Sequence, residues 1–290
     1  MSTNFTVGVS GARGVIGRNL VHLANDIGGI KLSEYHGDIL DFESARLWAE
    51  DTRPNLVIHL AAIVPTASVE RAKEKAEAVN KVGPSTFARA VLSGVKGNFM
   101  RFIYASTSHV YASSNYEIPE HGMISPQNFY AHTKLAGEFE LQQLEAANEN
   151  FDLLVSRIFS VYSEDQARSF LFPALCEKIL GGPRKQEIEL VGWNNTRDFL
   201  HAEQVAHLLL LLGKSSLSGI VNLGSGIGQT IKAFAENTFE VELRVSEQHA
   251  GQNHTTLIAD TSLISATLGR ERFESIAHRK PRLNFSRWLS

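Results

Sequence analysis

The chain has 290 residues, of which 43% are hydrophobic and 20% are charged, a composition typical of globular domains and not of disordered chains. Its formal net charge of -3 and its pI of about 6.4 lack the basic excess that nucleic-acid-binding proteins usually carry. The sequence shows neither a membrane-spanning apolar stretch nor a signal peptide, so we expect a cytoplasmic protein with no membrane partner. The single cysteine, Cys176, excludes an internal disulfide and a cysteine-based zinc site, and we expect no metal.

Strand-like and helical segments alternate along the first half of the chain, which predicts a parallel sheet with crossover helices. The predicted strands are Phe5–Val9, Asn55–Leu60, Arg101–Ala105, Phe151–Ile158 and, later, Ile220–Leu223. The predicted helices are Val15–Ala24, Val69–Leu92 with a break near Gly83-Pro84, and Tyr130–Ala147.

A glycine-rich turn joins the first predicted strand to the first predicted helix. Gly11, Gly14 and Gly17 stand three residues apart in this turn. Glycines at such a junction permit a tight turn, close approach of backbone N–H groups to a pyrophosphate, and close packing of helix on strand. The helix N-terminus adds favourable partial positive charge. The turn therefore predicts a dinucleotide-binding site.

Together, the alternation and the turn predict an α/β fold built on a Rossmann-type, doubly wound parallel sheet. We assign residues 1–160, with a returning segment near 195–225, to an NAD(P)-binding Rossmann domain. Because the pattern after about residue 160 is mixed and rich in loops, we expect residues 161–290 to form mainly a smaller, mixed α/β substrate-binding domain.

The choice between the two nicotinamide cofactors depends on charge near the adenosine ribose. Arg13 lies inside the turn, where a guanidinium could pair with a 2′-phosphate, although it could equally be a solvated surface residue. Glu34 is the one acidic candidate for an NAD ribose, and Lys31 could instead help bind phosphate. Asp38 is better placed to meet the adenine edge. We therefore favour NADP(H), with NAD(H) as the alternative.

A second constellation carries the chemistry. Tyr130 and Lys134 are four residues apart on a predicted helix and so share a face. An ammonium there stabilises a tyrosinate and is expected to lower the phenol pKa towards neutrality, so that the tyrosine acts as an acid or base on a carbinol or carbonyl oxygen. Upstream, the hydroxyls of Ser106, Thr107 and Ser108 follow a predicted strand, where parallel sheets bind ligands.

At this point the chain resembles the extended short-chain dehydrogenases/reductases that act on nucleotide sugars, the NAD-dependent epimerase/dehydratase family. The resemblance covers nearly the whole chain. It is carried by the glycine turn, Gly37-Asp38, His59-Leu60-Ala61-Ala62, Asn80, Ser106-Thr107, Val110-Tyr111, Tyr130 with Lys134, Arg157-Ile158-Phe159, Arg197-Asp198-Phe199-Leu200-His201, Asn222-Leu223-Gly224-Ser225-Gly226, Ala259-Asp260 and Leu268-Gly269.

This resemblance implies a role for each matching residue. Tyr130 is the catalytic acid/base, Lys134 supports it and binds the nicotinamide ribose, and Thr107 takes the catalytic Ser/Thr position. The substrate residues are Thr107, Ser108, Tyr130 and Arg197, the last of which meets the substrate diphosphate. The cofactor-binding residues are Gly11, Arg13, Gly14, Val15, Ile16, Gly17, Asp38, Ile39, Leu60, Ala61, Ala62, Asn80, Tyr130 and Lys134.

Three reactions compete within the family: reduction of a 4-keto sugar, 4-epimerisation and 4,6-dehydration. The similar 4,6-dehydratases carry Asp-Glu after the catalytic threonine, whereas Ser108-His109 stands here. The short stretch before Gly37-Asp38 resembles the dTDP-4-dehydrorhamnose reductases and the GDP-fucose synthases. We therefore expect an NAD(P)H-dependent reductase of a nucleotide-linked 4-keto sugar. An epimerase or dehydratase with tightly bound NAD is the alternative, and a non-catalytic NADP-binding subunit is a third possibility.

Two further expectations concern assembly and the histidines. Relatives often pair through two long helices, here the one within Val69–Leu92 and the one that carries Tyr130, so we expect a homodimer. His109 and His132 could act as additional acids, and His201 could bind a ligand, but a structural or surface role is the simpler interpretation of each.

Overall fold

The computed structural model describes residues 5–26, 29–64, 72–190, 192–245 and 254–288. Its strands, in chain order, are β1 (Phe5–Ser10), β2 (Ile30–Tyr35), β3 (Leu56–His59), β4 (Met100–Thr107), β5 (Phe151–Ile158), β6 (Ser160–Tyr162), β7 (Lys185–Ile188), β8 (Thr196–His201), β9 (Gly219–Leu223), β10 (Gly228–Thr230), β11 (Glu242–Val245) and β12 (Thr256–Leu257).

The helices cover these strands. They are α1 (Val15–Asp26), α2 (Phe42–Thr52), α3 (Lys73–Glu77), α4 (Gly83–Gly94), α5 (Phe129–Ala146), α6 (Leu171–Ile179), α7 (Ala202–Gly213), α8 (Ile231–Phe239), α9 (Ser262–Leu268) and α10 (Arg270–Ala277). Among the described residues, none of these helices is both long and apolar enough to cross a membrane.

The helical segment predicted over Val69–Leu92 differs from the prediction in one respect. Residues 69–71 lie outside the described residues, and the rest runs through α3, a π-helical turn at Ala78–Val82 and α4 without interruption. The predicted break near Gly83-Pro84 is therefore wrong. Pro84 is the second residue of α4, which directly follows the π-helical turn, so its missing N–H falls at the junction between the two kinds of helix.

The central sheet has six parallel strands in the order β2-β1-β3-β4-β5-β9. The chain passes from β1 outward to β2 and then returns to β3 on the other side of β1. In open α/β sheets, ligands bind outside the carboxyl ends of the strands where the order reverses in this way. The predicted α/β fold with a doubly wound parallel sheet is confirmed, and the glycine turn lies at the reversal.

Helices cover both faces of this sheet because its strands are apolar on both faces. Along β3, Leu56 and Ile58 pack into the cluster that contains Leu20 of α1. The intervening Val57 packs into the opposite cluster, with Phe87 of α4. Successive residues of a strand point to opposite faces, so this four-residue strand contributes to both cores.

Two smaller sheets lie in the part of the chain that follows β5. β8 pairs with β6, β10 and β12, and β7 pairs with β11. The core of this part is aromatic: Phe199 of β8 stacks on Phe234 of α8 with ring centroids 3.9 Å apart. β9 leaves this region and pairs with β5 in the central sheet. The division into domains at residues 1–160 and 161–290 stays a prediction.

A buried carboxylate fixes β8 against two loops. Asp198 accepts hydrogen bonds from the Ser225 N–H and hydroxyl at 2.7 and 2.6 Å, from Gly226 N at 2.9 Å and from Ala259 N at 3.2 Å. Burial raises the pKa of Asp198, and these hydrogen bonds offset that rise only in part. The strand that carries Arg197 is therefore held by the segments after β9 and β12.

Candidate active site

The glycine turn packs directly against the residues that follow β3. Gly11 has φ +76, and an added Cβ would lie 2.6 Å from the backbone nitrogen of Ala61. At Gly17 an added Cβ would overlap the carbonyl oxygen of Gly11. Because α1 begins at Val15, the N–H groups of its first turn have no intrahelical partner. The turn therefore offers backbone donors and no side-chain bulk, which fits a pyrophosphate.

A buried histidine bridges β1 and β3 beneath this turn. The Ser10 hydroxyl and His59 Nδ1 are 2.7 Å apart, and both side chains are fully buried. Burial, and secondarily the charge of Lys134, lower the pKa of His59 to about 3, so its ring is neutral. His59 Nε2 has no hydrogen-bond partner among the described residues. Sequence reasoning included His59 in a motif but gave it no role.

Charged residues surround the predicted ribose end of the crevice. Arg13 is exposed, and its carbonyl accepts a hydrogen bond from Arg18 Nη1 at 2.6 Å. Arg18 Nη2 donates to the carbonyl of Asp165 at 3.3 Å. Asp38 is also exposed, and its carboxylate accepts from Leu40 N at 2.9 Å. The guanidinium of Arg13 therefore lies at the surface of the turn. The carboxylate of Asp38 is engaged in a hydrogen bond within its own loop.

Asn80 occupies the middle of the π-helical turn and is fully buried. Its Oδ1 accepts from Ile63 N and its Nδ2 donates to Ile63 O, each at 2.8 Å. Nδ2 also lies 3.2 Å from the hydroxyl of Thr133 on α5. These bonds hold the segment that contains Ala61 and Ala62 against α5. The amide of Asn80 is thus engaged by the protein, and its predicted contact with a cofactor stays a prediction.

Tyr130 and Lys134 lie in the first turns of α5. Asn128 caps this helix, since its Oδ1 accepts from Ala131 N at 2.8 Å. Lys134 is 1% exposed, and its Nζ lies 4.0 Å from the centroid of the Tyr104 ring. Burial lowers the pKa of Lys134 to about 7, and the charge of Glu138 opposes that shift.

The expected effect of Lys134 on the phenol of Tyr130 is wrong for this structure. Burial raises the pKa of Tyr130 well above its usual value. Among the described residues, no hydrogen bond joins the ammonium to the phenol, and the ammonium lies over the Tyr104 ring instead. Burial disfavours both the tyrosinate form of Tyr130 and the ammonium form of Lys134. This desolvation cost outweighs the electrostatic attraction between the two groups that their four-residue spacing suggested.

The hydroxyl cluster lies at the carboxyl end of β4. Thr107 and Ser108 are buried, and the Thr107 hydroxyl accepts from His109 N at 3.2 Å at the start of a short 3₁₀ turn, Ser108–Val110. Burial first, and then the charge of Arg197, lower the pKa of His109 to about 4. This influence shows that β8 brings Arg197 close to the cluster.

The guanidinium of Arg197 is partly buried and fixed by two threonines. Its Nη1 donates to the carbonyls of Thr196 and Thr255, and its Nη2 donates to the Thr255 hydroxyl, each at 2.8 Å. His201 has a structural place, because it caps α7 and its Nε2 lies 3.1 Å from a carboxylate oxygen of Glu164. His132 is exposed on α5.

Sequence reasoning missed a buried ion pair beside the candidate site. Glu138 and Arg157 are 2% and 4% exposed, and Arg157 Nη2 lies 2.7 Å from Glu138 Oε2. Glu138 follows Lys134 by four residues, just as Lys134 follows Tyr130. That spacing was the available signal, because it places all three residues on one face of the helix.

The comparisons with known proteins identify the family of the chain. The sequence pattern of the NAD dependent epimerase/dehydratase family matches residues 7–224, which is more than half of the chain. The chain therefore belongs to this family, and the resemblance to the extended short-chain dehydrogenases/reductases is confirmed.

Three proteins to which the chain is similar differ in the reaction or cofactor that their names give. The dTDP-4-dehydrorhamnose reductase of Mycolicibacterium smegmatis is 32% identical over 136 residues, which are 45% of this chain and 39% of that protein. The structure of RMD from Pseudomonas aeruginosa complexed with NADPH has a TM-score of 0.74 at 21% identity, covering 98% of this chain and 96% of that chain. The UDP-glucose 4-epimerase of Thermus thermophilus, in complex with NAD, has a TM-score of 0.73 at 20% identity, covering 90% and 92%.

These similarities differ in what they establish. The matches span 39 to 46% of the length of three curated relatives, the reductase among them. The structural neighbours, at their low identity, establish the fold. Family membership is thus shown, whereas the choice among its reactions needs its own argument.

We expect Gly11→Ala to lower the free energy of unfolding more than Gly181→Ala does. Both glycines have positive φ, +76 and +89, but an added Cβ meets backbone only at Gly11, since nothing described lies within 4 Å of it at Gly181. The loss of unfolding free energy in Gly11→Ala minus that in Gly181→Ala measures the effect of the close backbone contact at Gly11. We expect this difference to be about 1–3 kcal/mol by urea denaturation. Equal losses in the two variants would contradict the packing described for the turn.

Proposed function

We propose that the protein is an NAD(P)H-dependent reductase of a nucleotide-linked 4-keto sugar. The observation that carries this proposal is the residue pair after Thr107: Ser108 and a neutral His109 stand where the similar dehydratases have two carboxylates. Tyr130, Lys134 and Thr107 come from α5 and β4, beside the reversal point that holds the glycine turn. This set supplies an acid, a cation and a hydroxyl but no carboxylate for removing water.

The cofactor residues of this chain fit a dinucleotide. Gly11 and Gly17 leave no room for side chains, and the first turn of α1 at Val15 and Ile16 supplies N–H donors to the pyrophosphate. When bound, the nicotinamide cofactor supplies the hydride that reduces the C4 carbonyl. Lys134 holds the nicotinamide ribose with its ammonium.

In the proposed reaction, Tyr130 gives its phenolic proton to the oxygen on C4. Burial raises the pKa of Tyr130, which keeps the phenol protonated near neutral pH, and the alkoxide that forms on C4 is a strong enough base to take that proton. The hydroxyl of Thr107, at the end of β4, holds the same oxygen. Arg197, with its guanidinium plane fixed by Thr255, binds the substrate diphosphate.

We expect Tyr130→Phe to lower turnover by at least about 10²-fold while leaving cofactor affinity within about twofold. Loss of a positioned acid costs about 10²- to 10⁴-fold in rate, and the phenyl ring keeps the packing. Consumption of NADPH with a 4-keto nucleotide sugar measures turnover, and fluorescence titration measures affinity. Tyr116→Phe, at a side chain that is 82% exposed, is the control. A wild-type protein that binds cofactor but consumes none with such substrates would overturn the reductase proposal.

The preference for NADP(H) is also a proposal. Arg13 presents its guanidinium at the surface of the glycine turn, where a 2′-phosphate would add two negative charges. A 4-epimerase or dehydratase that recycles its own cofactor would instead retain stoichiometric NAD through purification. The bound-cofactor content of the purified protein therefore separates the two reaction classes.

We expect Arg13→Ala to weaken NADPH binding by about tenfold and to leave NADH binding unchanged, because only NADPH carries the 2′-phosphate. Fluorescence titration of both cofactors measures the two dissociation constants. Arg282→Ala, at an exposed arginine near the C-terminus, controls for the general loss of positive charge. Equal weakening of NADH and NADPH by Arg13→Ala would exclude the proposed contact.

A homodimer through α4 and α5 is proposed from their exposed apolar residues. Phe139 of α5 is 60% exposed, and Val82, which precedes α4, is 47% exposed. α4 and α5 pack against each other, and the proposal places Phe139 and Val82 in one contact with the second copy. An exposed phenylalanine leaves apolar surface in contact with water, which is unfavourable. A second copy of the chain that packs on this surface would bury it.

We expect Phe139→Glu to convert a dimer to a monomer, because it places a charge in the apolar contact. Sedimentation velocity at micromolar concentration measures the mass. Phe99→Glu is a matched control, since Phe99 is also 60% exposed but lies in the loop before β4. If both variants keep the mass of the wild-type protein, this face does not form the dimer.

A further inference from the structure

Three ionisable side chains follow one another on the buried face of α5. Tyr130, Lys134 and Glu138 are spaced by four residues, and Lys134 and Glu138 are 1% and 2% exposed. The roles proposed above use Tyr130 and Lys134. They leave Glu138 without a function, although burying a carboxylate is costly unless it is paired.

Glu138 is held by donors from two strands of the central sheet. The Ser106 hydroxyl of β4 donates to Glu138 Oε1. Arg157 of β5 donates to Glu138 Oε2 from Nη2 at 2.7 Å and to Oε1 from Nε at 3.2 Å. The guanidinium also lies 4.8 Å from the centroid of the Tyr111 ring. The carboxylate therefore has a fixed position, set by the sheet and not by the helix alone.

The charges around Lys134 do not balance without Glu138. Lys134 and Arg157 bring two cations into a buried region, and Glu138 is the carboxylate whose charge acts on Lys134. The other ionisable groups near Lys134 or on the elements packed against its helix are Tyr130, His132, Glu140 and Glu145 of α5, Arg101 and Tyr104 of β4, Asp152 of β5, His59 of β3, His109 of the 3₁₀ turn, Lys73, Glu74, Lys75 and Glu77 of α3, Lys81 of the π-helical turn and Arg89 of α4. The two buried histidines, His59 and His109, are neutral. Glu77 pairs with Lys81 and Asp152 pairs with Arg101, whereas Glu138 is the carboxylate whose charge acts on the pKa of Lys134 among the described residues.

We propose that Glu138 is a positioning residue that keeps the Lys134 ammonium charged and in place behind Tyr130, with Arg157 holding Glu138 in turn. This inference rests on the proposed function, because it assigns Lys134 to the cofactor. The arrangement gives the lysine a counter-charge that substrate and cofactor never touch. It also ties the charge state of the site to the contact between α5 and the central sheet.

The proposal fixes the direction of the pH effect. Burial lowers the pKa of Lys134 to about 7 even with the opposing charge of Glu138 in place. Without that charge the ammonium loses its proton at a still lower pH. Cofactor affinity that depends on the ammonium is present below the pKa of Lys134 and lost as the pH rises through it.

The test follows NADPH affinity by fluorescence from about pH 6 to about pH 9, a range that brackets the pKa of about 7. The midpoint is the pH at which NADPH affinity falls to half. We expect Glu138→Gln to lower this midpoint by about one pH unit, and Glu138→Asp, which keeps a carboxylate, to lower it by less. Glu140→Gln removes the same charge from the partly exposed side of the same helix and should move nothing. A purely structural role would lower the melting temperature and the affinity equally at every pH.

Separate outcomes distinguish this inference from the proposed function. If the wild-type protein binds neither NADPH nor NADH at any pH, both fail. If Lys134→Met removes the pH dependence but Glu138→Gln leaves its midpoint unchanged, the inference alone is overturned. Should Glu138→Gln not fold, Glu138→Asp, whose side chain is shorter by one methylene, must move the midpoint downward by a smaller amount, and an unchanged or higher midpoint there would equally overturn it.

Discussion

The candidate site depends on one close approach, between the turn that follows β1 and the backbone that follows β3. Gly11 leaves less than the space of a methyl group between itself and Ala61. This contact brings the first turn of α1 beside the reversal in strand order, where a parallel sheet opens a crevice. Asn80 then fixes the next residues, because its amide pairs with both backbone groups of Ile63. The floor of the crevice is thus built from backbone, and side chains serve to hold that backbone.

Two buried carboxylates hold the walls of the same crevice. Glu138 joins α5 to the central sheet through Arg157, and Asp198 joins β8 to the segments after β9 and β12. Each accepts several hydrogen bonds, which offsets the cost of its burial. The two elements that bring Tyr130 and Arg197 to the site are therefore fixed by polar contacts, whereas the sheet between them is fixed by apolar packing.

The sequence predicted those parts of the fold that short local patterns determine. The glycine turn, the helix of Tyr130 and Lys134, and the apolar strands each depend on neighbouring residues, and the structure places them as expected. The three- and four-residue strands β6, β7 and β10 were not predicted, because pairing partners distant in sequence define them. The pKa of Tyr130 was predicted in the wrong direction because burial, which no spacing reveals, dominates it. Glu138 was overlooked because its partner Arg157 lies on β5, and the helical spacing of α5 does not reveal a contact with that strand.

The π-helical turn at Ala78–Val82 has a consequence for how this segment tolerates insertion and deletion. A π turn holds one residue more than an α turn, and a helix rotates by about 100° per residue. Deleting one residue there would let the segment become a regular α-helix, but it would turn every earlier side chain of the segment by that angle relative to α4. Asn80 would then face away from Ile63. The extra residue of the π turn therefore sets the rotational register between α3 and α4, and with it the pairing of Asn80 with Ile63.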